Sequence, residues 1–430
     1  MFLHAMNHYR KQSTEGELQP IWIAALACFI LAGATGALLR AGMLTGYPAG
    51  LQMGNIRHAH SHLMYFGWVT PALMALIAAR LPEMTGRAQS RAIKWALGGL
   101  IGLALLAFVP FLLYGYRPAP VGRAVIPLSM VAASLNIVGW YLFIALYVRA
   151  TRGVPRYHPL RLWDAALGFL VLASLGAWAL AGLSLSGVQA PIVSLGLTHL
   201  FLDLFADGWF VLALLGLAYA ACPAAAHCRA ARWGETLLVG GLPLIFLLSL
   251  PSGSLPQSVR WLVGGAALLV AGGLLANVIA LIRSARSRAW LIPLAFLTLK
   301  ASALVIIAFP AGSEWASRMV LRVSYLHWLL LGFVTLGLLA AAGDRWGAKA
   351  VPARRWFTIT TLILLLSLIP LTRLWPAAWA GRWTLQAAAW ATVGPVAAAS
   401  AMLIRQLLPR RQLASPNAEE RLPLSQVQQR

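Results

Sequence analysis

The apolar residues of this chain come in runs too long and too numerous for a water-soluble domain. About twelve stretches are nearly free of charge, and most approach the ~20 residues that carry a helix across a bilayer core. They cover residues 21–44, 58–81, 92–116, 124–148, 165–185, 194–220, 236–250, 259–282, 290–309, 320–342, 356–374 and 385–408. Hydrophobic residues make up 60% of the 430 and charged residues only 10%. A soluble fold could not cover that much apolar surface, whereas a bilayer can. The expected fold class is therefore all-α, a polytopic membrane protein of about twelve transmembrane helices. A cytoplasmic segment 1–20, polar and without a cleavable signal peptide, would precede a single helical domain over 21–408. A disordered cytoplasmic tail, rich in Ser, Pro, Asn and Gln, would follow over 409–430. No second domain and no short internal repeat is visible.

The formal charge of +23 would fit a nucleic-acid partner if the basic residues shared one face. Instead they fall in the gaps between apolar runs, and mainly in alternate gaps. Arg80, Arg87, Arg91 and Lys94 follow the second run, Arg149, Arg152, Arg156 and Arg161 the fourth, and Arg283, Arg286 and Arg288 the eighth. The odd-numbered gaps are poorer. This is the positive-inside pattern of a multi-pass protein of the cell (inner or plasma) membrane. It puts both termini in the cytoplasm and excludes nucleic acid as a partner in favour of the lipid bilayer. Cys222, His227 and Cys228 share one such cytoplasmic loop, where a disulfide is not expected, and their spacing matches no zinc pattern.

Against this apolar background the histidines stand out. His58, His60 and His62 open the second run, His199 lies in the sixth, and His327 in the tenth. All three runs would enter from the outer side, so three separate helices place imidazole in the outer half of the membrane. Titratable groups are costly there and generally face a site or a partner. On one helix His58 and His62 share a face while His60 points away. The sixth run adds Asp203 and Asp207, which with His199 form an i, i+4, i+8 stripe. Such carboxylates carry protons, ligate a metal or balance a buried cation, here Lys300 or Arg40. His327 is the strongest ligand candidate in the tenth run, with Tyr325 two residues away on another face. Trp68, Trp209 and Trp328 follow the histidines closely and suit either a flat macrocycle or ordinary packing. Asn136 and Asn277 are read as interhelical packing groups.

With these residues in view the chain resembles subunit I of the haem-copper oxidases, which has twelve spans and both termini inside. In that family histidines of the second and tenth helices hold a low-spin haem near the outer face, and the sixth and seventh helices supply copper ligands. The family's tenth-helix pattern of histidine, aromatic, histidine, aromatic and then aliphatics is similar to Tyr325-Leu326-His327-Trp328-Leu329-Leu330. The match implies His327 as low-spin haem ligand, with Tyr325 where the high-spin ligand belongs. His60-Ser61-His62-Leu63-Met64-Tyr65-Phe66-Gly67 is also similar to the NnrS-type motif His-Ala-His-Glu-Met-Leu-Phe-Gly, without its glutamate. That family of membrane proteins binds haem and copper.

The departures are as informative. The seventh run has no histidine, the tenth has only one, and Asp203 stands where a tyrosine can follow the sixth-helix histidine. A full oxygen-reducing centre is not expected. The resemblance implies a haem, of b type, held by His327 and by His60 or His62. A second metal (iron, copper or zinc) would draw on His58, His62, His199, Asp203 and His327, with Asp203, Asp207 and Tyr325 as candidate catalytic groups. The expected function is electron transfer or handling of a diatomic gas such as nitric oxide, an oxidoreductase role with a redox partner protein. Two alternatives use the same residues. One is a proton-coupled transporter running on Asp203, Asp207 and Lys300. The other is an intramembrane zinc hydrolase.

Overall fold

The computed structural model describes residues 17–284 and 287–408. Most of the N-terminal segment and the expected disordered tail lie outside them. Within them are twelve helices long and apolar enough to cross a membrane. They are α1 Gln19–Thr45, α2 Met53–Thr85, α3 Arg91–Tyr114, α4 Leu128–Thr151, α5 His158–Ser186 and α6 Pro191–Ala221. The others are α7 Arg229–Ser249, α8 Gln257–Ser284, α9 Arg288–Ile307, α10 Arg322–Trp346, α11 Arg354–Leu371 and α12 Arg382–Leu407. Between α3 and α4 a small hairpin pairs β1 Ala119–Val121 with β2 Ala124–Ile126, antiparallel. Gly122, at φ +61°, makes its two-residue turn.

The twelve expected runs are all helices, but several begin earlier than hydropathy suggests, because ion pairs and hydrogen bonds carry charged residues into the first turns. Helix α7 starts at Arg229 because Glu235 is held by Arg161 at 2.8 Å and by His158 Nδ1 at 2.9 Å. Asp164 sits inside α5 with Arg156 at 3.0 Å and the Tyr147 hydroxyl donating at 2.9 Å. Helix α2 starts at Met53, so its histidines lie inside the helix rather than at its entrance.

Three helices form the centre. In α2, α6 and α10, 89%, 78% and 72% of the most apolar window is buried, against at most 56% in the other nine. Each widens into a π-helical stretch, over Leu63–Val69, Leu204–Phe210 and Trp328–Thr335. Each stretch contains a glycine followed by a buried aromatic: Gly67-Trp68, Gly208-Trp209 and Gly332-Phe333. The glycines admit the preceding helix. A Cβ on Gly67 would stand 3.1 Å from Cys28 of α1, one on Gly208 2.5 Å from Phe169 of α5, and one on Gly332 2.5 Å from Phe296 of α9. The aromatics then tie the centre together. Trp68 Nε1 donates to Thr335 Oγ1 at 3.2 Å, and Trp209 Nε1 donates to Thr70 Oγ1 at 3.3 Å. The equivalent third positions, Phe333 and Val211, have no side-chain polar atoms. Thus three helices spaced four apart in the chain carry the same glycine–aromatic feature, too widely spaced to appear as a short repeat.

At the other side of the bundle α12 runs antiparallel to α1. Arg382 at the start of α12 donates to Leu44 O near the end of α1, and a Cβ on Gly33 would meet Val396. The start of α1 and the end of α12 therefore share one face, as an even number of spans requires.

Replacing Gly208 by valine should force Phe169 out of contact and cost roughly 1–3 kcal/mol. The expected readout is a lower Tm of the detergent-solubilised protein. Gly98→Val, where nothing lies near an added Cβ, should leave Tm almost unchanged.

Candidate functional site

The histidines of α2 separate as the helical period demands, and the structure shows where each goes. His60 turns towards α1. Its Nδ1 lies 2.7 Å from Ala32 O, and its ring lies over Gly36, where an added Cβ would come within 2.9 Å of the imidazole. A carbonyl only accepts, so Nδ1 carries the proton and donates, leaving the Nε2 lone pair free. His327 on α10 is fixed in the same way, with Nδ1 donating to Val323 O at 2.8 Å. Neither Nε2 has a protein partner among the described residues.

His58 and His62 take the opposite face, towards the end of α3. The His62 ring stacks on Phe111 with centroids 3.9 Å apart, and its Nε2 lies 2.9 Å from the Tyr116 hydroxyl. His58 meets Tyr116 edge-on at 4.7 Å. Burial pushes the Tyr116 phenol up to about 12, so it keeps its proton at neutral pH and shares a hydrogen bond with His62 Nε2. That bond engages Nε2, while His62 Nδ1 is buried without a hydrogen-bond partner among the described residues.

The expected stripe of His199, Asp203 and Asp207 does not survive folding. The π-helical stretch of α6 begins at Leu204, and its wider turns rotate less per residue, so Asp207 leaves the line of the other two. Asp203 stays with His199, accepting from its Nδ1 at 3.1 Å and from Ser249 Oγ of α7 at 2.7 Å. Arg322 of α10 donates to His199 Nε2 at 3.4 Å, so both ring nitrogens of His199 are committed. Asp207 instead meets Lys300 of α9 at 2.8 Å, and Lys300 donates to the Tyr325 hydroxyl at 2.5 Å. Asp207 and Lys300 are 7% and 3% exposed. Their charges therefore balance each other away from water, and Tyr325 takes a second of the three N–H donors of the ammonium group.

This arrangement does not fit the second metal expected from the sequence. Among the described residues no three His, Cys, Asp or Glu side chains converge. His58 and His62 lie against α3, His199 is bonded at both nitrogens, and a lysine ammonium stands between Asp207 and Tyr325. The loop with Cys222, His227 and Cys228 likewise forms no metal cluster, and Cys222 Sγ donates to Ser284 O at 3.0 Å. Of the candidate catalytic residues, Asp207 and Tyr325 are brought together through Lys300, while Asp203 belongs to the His199 group.

Several participants carried only a faint sequence signal. Arg40 showed itself as an arginine inside an apolar run. Gly36, Phe111, Tyr116, Ser249 and Arg322 gave no sign of their partners, which come from other helices.

No family model and no curated protein matches the chain. Its fold does match a solved one. A structure described as the cryo-EM structure of a heme-copper terminal oxidase dimer superposes with a TM-score of 0.67, covering 92% of this chain and 84% of that chain at 14% identity. The architecture is therefore that of a haem-copper oxidase subunit I-like, multi-pass integral membrane protein.

The buried pair has a testable consequence. Lys300→Met alone leaves the Asp207 carboxylate uncompensated and should destabilise the protein by about 3–5 kcal/mol. The double variant Lys300→Met, Asp207→Asn removes both charges and should recover much of that loss. Thermal unfolding of the three purified proteins measures the difference.

Proposed function

We propose that this chain is a membrane haem protein whose iron is held between His60 and His327, and that it works in electron transfer. The observation that carries the proposal is the matched state of the two imidazoles. They come from different central helices, each has Nδ1–H anchored on a backbone carbonyl, and each has an unpartnered Nε2. Histidine ligands of metals characteristically hold the other ring N–H in this way, which fixes the tautomer and aims the lone pair. The donor set suits a haem with two neutral nitrogen ligands, and the oxidase-like fold adds support for a haem in this bundle.

When bound, a haem supplies reversible one-electron exchange at its iron. The protein's part is to hold it. Gly36 lets His60 lie flat against α1, and Val323 O orients His327 from within its own helix. With His60 and His327 both giving a nitrogen to the iron, such a group would suit electron transfer better than handling of a diatomic gas. The apolar shell keeps water from the site and makes the iron's reduction potential a property of the protein. Of the two earlier candidates the proposal takes His60, whose Nε2 has no protein partner, rather than His62, whose Nε2 is engaged by Tyr116.

The transporter alternative keeps one specific support, the buried Asp207–Lys300–Tyr325 set. Intramembrane groups of this kind occur on ion and proton paths. The zinc hydrolase alternative is weaker, because His199 has no free nitrogen to offer.

Optical spectra of the detergent-purified protein, oxidised and dithionite-reduced, with total metal analysis, test the proposal. One haem iron per chain is expected, with a low-spin spectrum that carbon monoxide does not shift. His60→Ala and His327→Ala should lose that spectrum, while His62→Ala should retain it. Colourless, metal-free protein from haem-supplied cells would reject the haem and leave the transporter. Loss of haem in His62→Ala but not in His60→Ala would move the ligand.

A further inference from the structure

Charge divides unevenly between the two ends of the bundle. Hydrogen bonds gather four connections at the end where the even-numbered helices begin. Asn55 of α2 donates to Leu113 O of α3 at 2.8 Å, and Arg117, beyond α3, donates to Gln52 Oε1 at 3.0 Å. Arg382 of α12 donates to Leu44 O of α1, and Arg373 N donates to Met319 O at 3.1 Å. Arg57, Arg117, Arg123, Arg318, Arg373 and Arg382 are exposed at this end. Among the described residues none of the six pairs with a carboxylate. The one exposed carboxylate here, Glu314, already faces a further arginine, Arg260, at 3.8 Å. Glu83, Asp164, Glu235 and Asp344 lie at the opposite end. Like charges gathered without counter-charges repel one another, a cost that an anionic partner removes.

Two observations favour a protein over lipid headgroups as that partner. The first is position. Arg117 and Arg123 belong to the connection that carries the β1–β2 hairpin, which starts beyond the last turn of α3 and is bonded to the start of α2. Helix α2 is the most buried span, so the hairpin lies over the centre of the bundle rather than over its lipid rim. The second is the company these arginines keep. Val121 and Val125 are exposed on the hairpin, and Trp379 and Trp383 are exposed across the same end, with ring centroids 5.8 and 6.3 Å from Trp375. Arginine and tryptophan together are the composition enriched where proteins dock. This end is also the near one for the two imidazoles. His60 follows Met53, the first residue of α2, by seven residues, and His327 follows Arg322 of α10 by five, about 10 and 8 Å along the helices.

We infer that this end is the docking face for a small acidic redox protein that passes single electrons to the site between His60 and His327. The inference rests on the haem reading and names its partner. One electron leaves the reduced donor and arrives at the site; the donor is oxidised, the site is reduced, and no bond forms or breaks. The arginines steer the acidic face of the donor onto the bundle, and the exposed valines and tryptophans hold it there.

The test uses protein purified from haem-supplied cells, placed in nanodiscs of phosphatidylcholine, with a plant-type ferredoxin as acidic probe and a cytochrome c as basic probe. Calorimetric titration should show ferredoxin binding roughly tenfold or more tightly than cytochrome c. That binding should weaken by a similar factor as NaCl rises from about 20 to about 200 mM, because the screening length contracts. The pair Arg123→Glu, Arg373→Glu changes two side chains without hydrogen bonds among the described residues and should weaken ferredoxin binding roughly tenfold, with stopped-flow reduction by ferredoxin slowing in parallel. Arg152→Glu, at the opposite end, should change neither. Equal binding of the two probes, or wild-type binding by the double variant, overturns the docking face. So does phosphatidylglycerol that co-purifies with wild type but not with the double variant while ferredoxin fails to bind, which would assign the arginines to lipid headgroups. Binding that follows the charges in protein without haem leaves the acidic-partner face standing and removes the haem reading. If the double variant does not purify, Arg123→Gln with Arg373→Gln decides: a several-fold loss supports the face, and undiminished binding overturns it.

Discussion

Hydrocarbon offers no hydrogen bonds, and most of this bundle follows from that constraint. Each polar side chain within the spans has to find its partner inside the protein, and those partners hold the helices in register. Trp68 and Trp209 donate to threonines on neighbouring central helices, Asn136 donates to Leu100 O, and Tyr219 donates to Asn277. Asp207 and Lys300 neutralise each other. The glycines at the π-helical stretches complete the arrangement by letting α1, α5 and α9 pack closely against the central helices.

Seen in this way, α2, α6 and α10 have the same design and different contents. Each is surrounded by other helices, widens after its first turns, and presents polar side chains near its N-terminal end. In α2 and α10 those include imidazoles with a free nitrogen. In α6 the imidazole is closed off by Asp203 and Arg322, and the adjoining space holds an ion pair.

The π-helical stretches matter most for interpreting the polar residues. The i, i+4, i+8 spacing of His199, Asp203 and Asp207 is sound for a regular α-helix, and the first step does hold, because His199 and Asp203 lie within regular helix. The second step crosses into wider turns and fails. Nothing in local propensity marks that boundary, because the widening depends on glycine contacts with another helix. The alternation of His58, His60 and His62 lies before the widening in α2, and there the expectation of opposite faces holds.

What the sequence determined by itself was the solvent and the secondary structure. Long apolar runs can only be bilayer helices, and their number, approximate limits and the outlying histidines were all legible in order. A resemblance to the haem-copper oxidases was legible too, and in its fold the chain bears that out. Only the tertiary structure decided which polar groups meet. Pairing is set by which helices touch and by how each is rotated, and both depend on packing between residues far apart in the chain. Lys300 could have answered Asp203 or Asp207, and rotation of α6 gave it Asp207. His60 and His62 differ by two positions, yet one is fixed by α1 and the other by α3, because a helix turns its successive residues to different neighbours.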